Sequence, residues 1–125
     1  MDNWNVHGNI KKGKKGEDIA ADYLKEKGFK ILERNWRYSI VGEIDIIAVD
    51  QKTLVFIEVK ARSSANFGQP IEAVDKIKMG KMKNMANIYL SENPAVQYSS
   101  YRFDAIGIIL GKEPEITYYR NIYQF

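Results

Sequence analysis

At 125 residues, with 45% hydrophobic and 28% charged content and a net charge of +3, the chain has the make-up of one soluble globular domain. A chain of this length can bury roughly two thirds of its unfolded surface around one core. The absence of cysteine excludes a disulfide framework and thiolate zinc sites, and the single histidine, His7, excludes multi-histidine metal centres and argues against histidine-based nuclease chemistry. No apolar run approaches the roughly 20 residues of a membrane span, and the N-terminus has no apolar signal core, so a cytoplasmic protein without membrane contact is expected. The mild positive charge is compatible with a polyanionic partner.

Residues 1–15 read as a flexible basic leader ending in Lys11, Lys12, Lys14 and Lys15, and residues 16–125 as a single domain. The lysines fit either a phosphate-contacting arm or a solvated tail. Gly8, Gly13 and Gly16 do not make a phosphate-binding loop, because no strand precedes them and no Gly-Lys-Ser/Thr follows. From Glu17 to Lys27 the spacing is helical, with Ala20, Ala21 and Leu24 along one stripe and Gly28 as the stop. Glu17 lies on that stripe, where a first-turn carboxylate would be favoured by the helix dipole. Phe29 to Tyr38 reads as a strand in which Arg34 and Arg37 alternate with Trp36 and Tyr38, a pattern of sheet packing or of nucleic-acid contact.

The stretch GEIDIIAVDQKTLVFIEVK, Gly42 to Lys60, is the centre of the chain. Two apolar strands flank the polar Asp50, Gln51, Lys52 and Thr53, which predicts a β-hairpin with a four-residue loop or a two-residue loop in the same register. If Val49 faces Leu54, Asp45 falls opposite Glu58 and Glu43 opposite Lys60, all on one face. Ile44, Ile46 and Ala48 then oppose Val55, Ile57 and Val59 on an apolar, core-facing side. Two carboxylates placed side by side repel unless a cation joins them. A hard divalent ion such as Mg²⁺ commonly takes one or two protein carboxylates and fills its other positions with water and phosphate oxygens. Lys60, on the same face, is placed to hold the attacking water or to neutralise charge on a phosphoryl group.

Beyond Lys60, residues 61–69 read as a polar loop and Pro70 as a helix start. The pattern from Ile71 to Leu90 is helical, with a candidate interruption near Asp75 or Gly80. Val74, Ile77, Met82, Met85, Ala86 and Tyr89 form its expected buried set. Lys76, Lys78, Lys81 and Lys83 fit either a solvated face or a phosphate-tracking surface. Tyr101 to Leu110 and Glu115 to Arg120 read as the last strands, with Asp104 as a structural acid paired to Arg102 or a neighbour. The aromatic tail through Tyr118, Tyr119, Tyr123 and Phe125 is a candidate dimer surface.

Asp45 followed by Glu58-Val59-Lys60 on the next strand resembles the PD-(D/E)xK nucleases, and GEIDIIA with FIEVKAR resembles the YraN-like proteins of that superfamily, over about Gly16 to Gly107. Ile44 stands where the superfamily motif has proline. The resemblance implies an α/β fold in which helices sandwich a mixed β-sheet, the αβββαβ restriction-endonuclease-like core, an order the periodicity also gives. It implies a nuclease-like domain cutting DNA with Mg²⁺ or Mn²⁺, held by Asp45, Glu58, the Val59 carbonyl and Glu17 from the first helix. By the same resemblance, a basic or amide side chain beside the site falls to Lys76, Lys78 or Gln69. Similarity to Holliday-junction resolvases, which work as dimers, makes branched DNA the first substrate to consider. The alternative is a module on the same fold that binds nucleic acid or protein without cleaving.

Overall fold

The computed structural model describes the backbone of residues 6–63 and 76–123 and the side chains of 15–63 and 79–123. The elements run α1 (Val6–Glu26), β1 (Lys30–Tyr38), β2 (Gly42–Asp50), β3 (Thr53–Arg62), α2 (Lys76–Glu92), β4 (Ser100–Ile109) and β5 (Glu115–Tyr119). This is the expected αβββαβ order followed by a fifth strand. The five strands form one sheet in sequential order, β1 to β3 and β4 to β5 antiparallel, β3 to β4 parallel. Short turns permit the antiparallel neighbours, whereas the chain segment carrying α2 supplies the crossover that a parallel pair needs. No helix among the described residues is long and apolar enough to cross a membrane.

Two cores lie against this sheet. Ala20, Ala21 and Leu24 of α1 pack on Ile46, Ala48, Val55, Ile57, Ile106 and Ile108. Met82, Met85, Ala86 and Tyr89 of α2 pack with Ile44, Ile47, Leu54, Phe56, Phe103 and Tyr123 in the other. The apolar stripe of α1 and the four described members of the α2 set are therefore buried as their spacing predicts; Val74 and the side chain of Ile77 lie outside the described residues.

The basic leader is corrected by α1, which begins at Val6 rather than Glu17, so residues 6–15 are helical backbone. A glycine inside a helix costs only about 1 kcal/mol relative to alanine, and lysine is a good helix former, so Gly8 and Gly13 do not stop it. Gly28, at φ 91, ends α1 as expected: Phe29 N–H reaches back to the Leu24 carbonyl at 2.9 Å and Gly28 N–H to Lys25 at 3.1 Å. Gly80 lies within a continuous α2.

The aromatic tail is a second correction. Tyr123 is buried against Phe103, and Tyr118 packs near Tyr23 and Phe29 while its hydroxyl donates to Asp104. Burial and that carboxylate hold the Tyr118 phenol above its usual range. Phe125 lies outside the described residues. Asp104 itself is fully buried and structural, accepting from Arg102 Nε at 3.1 and 3.0 Å and from Asn121 N–H at 2.7 Å. Arg102 also reaches Asp50 at 3.2 Å.

Candidate active site

The β2–β3 register is the one the hairpin predicts, with Val49 opposite Leu54 and Ile46 opposite Ile57. The loop is the two-residue alternative, Gln51-Lys52, with Gln51 at φ 58. Regular pairing stops at Ile46, one residue short of Asp45, so Asp45 and Glu58 do not face each other across a closed ladder. The Asp45 carboxylate instead accepts a hydrogen bond from Val59 N–H at 2.8 Å. A side chain has thereby taken the place of a backbone acceptor, and the strands part at the acidic end.

The neighbouring strand shows a matching irregularity. Asn35 of β1 sits in the left-handed region at φ 54, a conformation asparagine tolerates better than most residues. Arg34, opposite Ile46, meets Glu17 and Asp18 of α1, whereas Trp36, opposite Ile44, meets Tyr89 of α2, so the alternation of faces changes across Asn35. Ile44 therefore belongs to the α2-side core rather than sharing the α1 side with Ile46 and Ala48, which corrects the strict period-two reading. Trp36 follows it, meeting Tyr89 edge-on at 5.2 Å. Sheet packing is thus the role of Trp36.

Where the strands part, Glu43, Asp45, Glu58, Val59, Lys60 and Met82 line a cavity of about 210 Å³. Glu58 is 5% exposed and Lys60 Nζ stands 3.3 Å from its Oε1. Glu43 accepts from Arg37 at 2.8 Å, a cross-strand partner the hairpin alone could not reveal. Asp45 is pushed up to about 6, chiefly by burial, opposed by the Val59 N–H and reinforced by the charges of Glu58, Glu17 and Glu43.

Glu17 does not line the cavity, but it is 8% exposed and close enough to act on Asp45. With α1 starting at Val6 it is no first-turn residue, so the helix-dipole account of it fails. Its Oε1 accepts from Asn35 Nδ2 at 2.6 Å and stands 3.5 Å from Arg34 Nε. Burial raises its pKa, against the pull of Arg34 and Asn35. Gly16 permits this placement: a Cβ there would come within 2.6 Å of Ala61 Cβ, so glycine lets α1 approach β3 next to Lys60.

Asp45, Glu58, Val59 and Lys60 are thus gathered at one cavity, with Glu17 behind it. Lys15 is exposed on α1; Lys11, Lys12 and Lys14 are helical in backbone, as are Lys76 and Lys78 in the first turn of α2, but their side chains lie outside the described residues, as does all of Gln69. Asn35 and the cavity wall at Met82 were not foreseen as site features. The signal for Asn35 was an asparagine in mid-strand, a residue type that tolerates left-handed backbone.

Among the described residues no group of three or more His, Cys, Asp or Glu side chains could hold a metal ion on its own. Two carboxylates at one cavity, one with a raised pKa, fit an ion that takes few protein ligands and completes its shell with water and phosphate, as Mg²⁺ does.

The elevated Asp45 pKa sets a pH dependence of stability. Between its ordinary 3.8 and about 6 the folded protein binds this proton more tightly than the unfolded chain. The stabilisation is complete below the lower value and is lost as pH rises through the upper one. Metal-free protein is therefore expected to lose about 1–3 kcal/mol from this group between pH 4 and 7. Asp45→Asn should flatten that slope and be the more stable protein at pH 7.5, as read by urea unfolding across the range in EDTA.

Residues 16–108 match the uncharacterised protein family UPF0102. Similar proteins bearing that family name include one from Caldanaerobacter subterraneus subsp. tengcongensis, 48% identical over 101 residues covering 81% of each chain. One from Chlorobium phaeobacteroides is 50% identical over 97 residues, 78% of this chain and 75% of its own. A third, from Natranaerobius thermophilus, is 42% identical over 118 residues, 92% of this chain and 98% of its own. The YraN-like resemblance carried by the two hairpin motifs is borne out: the match takes in Glu17 and every residue lining the cavity, and the chain belongs to the UPF0102 family.

Proposed function

We propose that this protein is a Mg²⁺- or Mn²⁺-dependent endonuclease that hydrolyses phosphodiester bonds in DNA, with branched or otherwise structured DNA as the first substrate to test. The observation that carries the reading is the convergence of Asp45, Glu58 and Lys60 on one cavity where the β2–β3 ladder opens. Asp45 and Glu58 would hold the ion, with the Val59 carbonyl and Glu17 as further candidate ligands. The chemistry such an ion supplies is Lewis-acid polarisation of a phosphoryl oxygen and activation of water. Burial fixes Glu58, and the Val59 N–H fixes Asp45, so neither carboxylate needs to reorganise on binding. The Lys60 ammonium, seated against Glu58 Oε1, orients the attacking water and stabilises the charge that develops on the phosphoryl group.

Exposed Lys15, Lys81 and Lys83 supply cationic surface for the phosphate backbone, with Lys11, Lys12, Lys14, Lys76, Lys78 and Gln69 as further sequence candidates. Likeness to dimeric junction-cleaving enzymes of this fold extends the reading to a homodimer on DNA.

The alternative reading is a module on the same fold that binds nucleic acid or protein without cleaving. Incubation with linear, nicked, flapped and four-way DNA in Mg²⁺, Mn²⁺ or EDTA separates the two. Cleavage is expected in either metal and absent in EDTA, with affinity falling as salt rises because phosphate contacts release counterions. Salt-sensitive binding to all four without cutting would establish the binding module instead.

A further inference from the structure

Four large apolar side chains are exposed among the described residues, and three of them, Tyr38, Ile40 and Val41, sit at the turn between β1 and β2. Ile40, at its tip, is 99% exposed. The turn is a defined structure: Tyr38 and Gly42 form the closing pair, Val41 N–H donates to the Tyr38 carbonyl at 3.1 Å, and Ser39 adopts φ 49. Turns of this kind are ordinarily built from Gly, Asn, Asp, Ser or Pro. Isoleucine and valine serve neither the turn geometry nor the core here, so their place at the tip calls for another explanation.

The tip adjoins the candidate active site. Glu43, which lines the cavity, follows Gly42 directly, and Met85 Sδ lies 3.7 Å from where a Cβ on Gly42 would sit, one helical turn from the cavity residue Met82. The neighbouring surface carries cations: Lys81 and Lys83 are exposed on either side of Met82 in α2, and Arg37 stands well exposed on β1, paired with Glu43. A second copy of the chain is a poor occupant, because three side chains fall far short of the roughly 800 Å² per partner that a stable protein interface buries. An apolar tip among cations suits a ligand with a charged backbone and flat apolar faces inside.

We propose that Tyr38, Ile40 and Val41 form a wedge that inserts between stacked bases of DNA bound at the Asp45–Glu58 cavity. This rests on the nuclease reading only in taking DNA as the ligand. Apolar side chains are the groups that proteins insert between base steps, and unstacking costs least where stacking is already interrupted. The wedge therefore favours DNA carrying a nick, flap or branch over continuous duplex.

The test uses 2-aminopurine, whose fluorescence rises on unstacking, placed beside the nick of a nicked duplex in EDTA, with wild type and the double variant Ile40→Ser/Val41→Ser. Both replaced side chains face solvent or the turn surface, and an unchanged melting temperature verifies folding. Wild type is expected to raise the fluorescence, and the variant to bind with the same salt-sensitive affinity but lose the rise. An equal rise in both proteins, or binding without any rise, overturns the wedge and leaves the nuclease reading standing. No binding to DNA overturns both. A wild-type dimer in sedimentation that the double variant dissociates also overturns the wedge, assigning the tip to self-association.

Discussion

Asp104→Ala is expected to destabilise the protein by about 3–5 kcal/mol, the cost of breaking a buried ion pair by removing one partner. The carboxylate is fully buried and receives Arg102 Nε on both oxygens, the Asn121 N–H and the Tyr118 hydroxyl. Its loss leaves Arg102, whose side chain is 10% exposed, with Asp50 as its one remaining acidic partner, and removes one of the acceptors that tie the segment after β5 to β4. Asp104→Asn, which retains an acceptor and the shape, should cost less. The measurement is urea unfolding with the slope held common. Cleavage per folded molecule, measured well below the melting transition, should be unchanged, because Asp104 does not line the cavity. A loss of less than about 1 kcal/mol would mean that the network behaves as an exposed ion pair.

That network and the candidate site were legible to different degrees, for physical reasons. Asp104 could be read as structural because an acid between Phe103 and Ala105 in an apolar strand must be paired. The hairpin register was legible because a slip of one residue would turn the apolar set of β3 to the other face. The opening of the ladder at Asp45 was not, because it turns on a single side-chain hydrogen bond, from Val59 N–H to the Asp45 carboxylate, that no period in the sequence encodes. Ile44 was misplaced because the alternation of β2 breaks at Asp45, leaving Ile44 on the α2 side and Ile46 on the α1 side. The start of α1 failed differently. The lysine- and glycine-rich residues before Glu17 show no apolar stripe to mark a helix, whereas Gly16 is required inside it by the contact with Ala61. Glu17 was drawn toward the site by resemblance, and the structure adds Arg34 and Asn35 as its holders.

The second large effect is expected at Glu58 and Lys60, whose replacements should abolish cleavage alike while acting oppositely on stability. Each removes a group proposed to stabilise the reaction, and loss of one such electrostatic contact typically costs about 10²–10³-fold in rate. Their effects on folding differ because the pair is unequally buried: Glu58 is 5% exposed, whereas the Lys60 side chain keeps 31% of its surface in solvent. Lys60→Ala leaves a buried carboxylate without its nearby ammonium and beside Asp45, and should destabilise the metal-free protein by about 1–3 kcal/mol. Glu58→Gln leaves a lysine that solvent still reaches and relieves repulsion on Asp45, so stability should hold to within about 0.5 kcal/mol or rise. Metal gives the independent check. At a ten-fold excess over its dissociation constant, Mg²⁺ binding to the folded state alone adds about 1.4 kcal/mol. Wild type and Lys60→Ala should show that gain in urea unfolding, and Glu58→Gln should lose most of it. If Glu58→Gln is instead the destabilised variant and Mg²⁺ shifts all three proteins equally, Glu58 and Lys60 form a structural ion pair and the metal-centre reading fails.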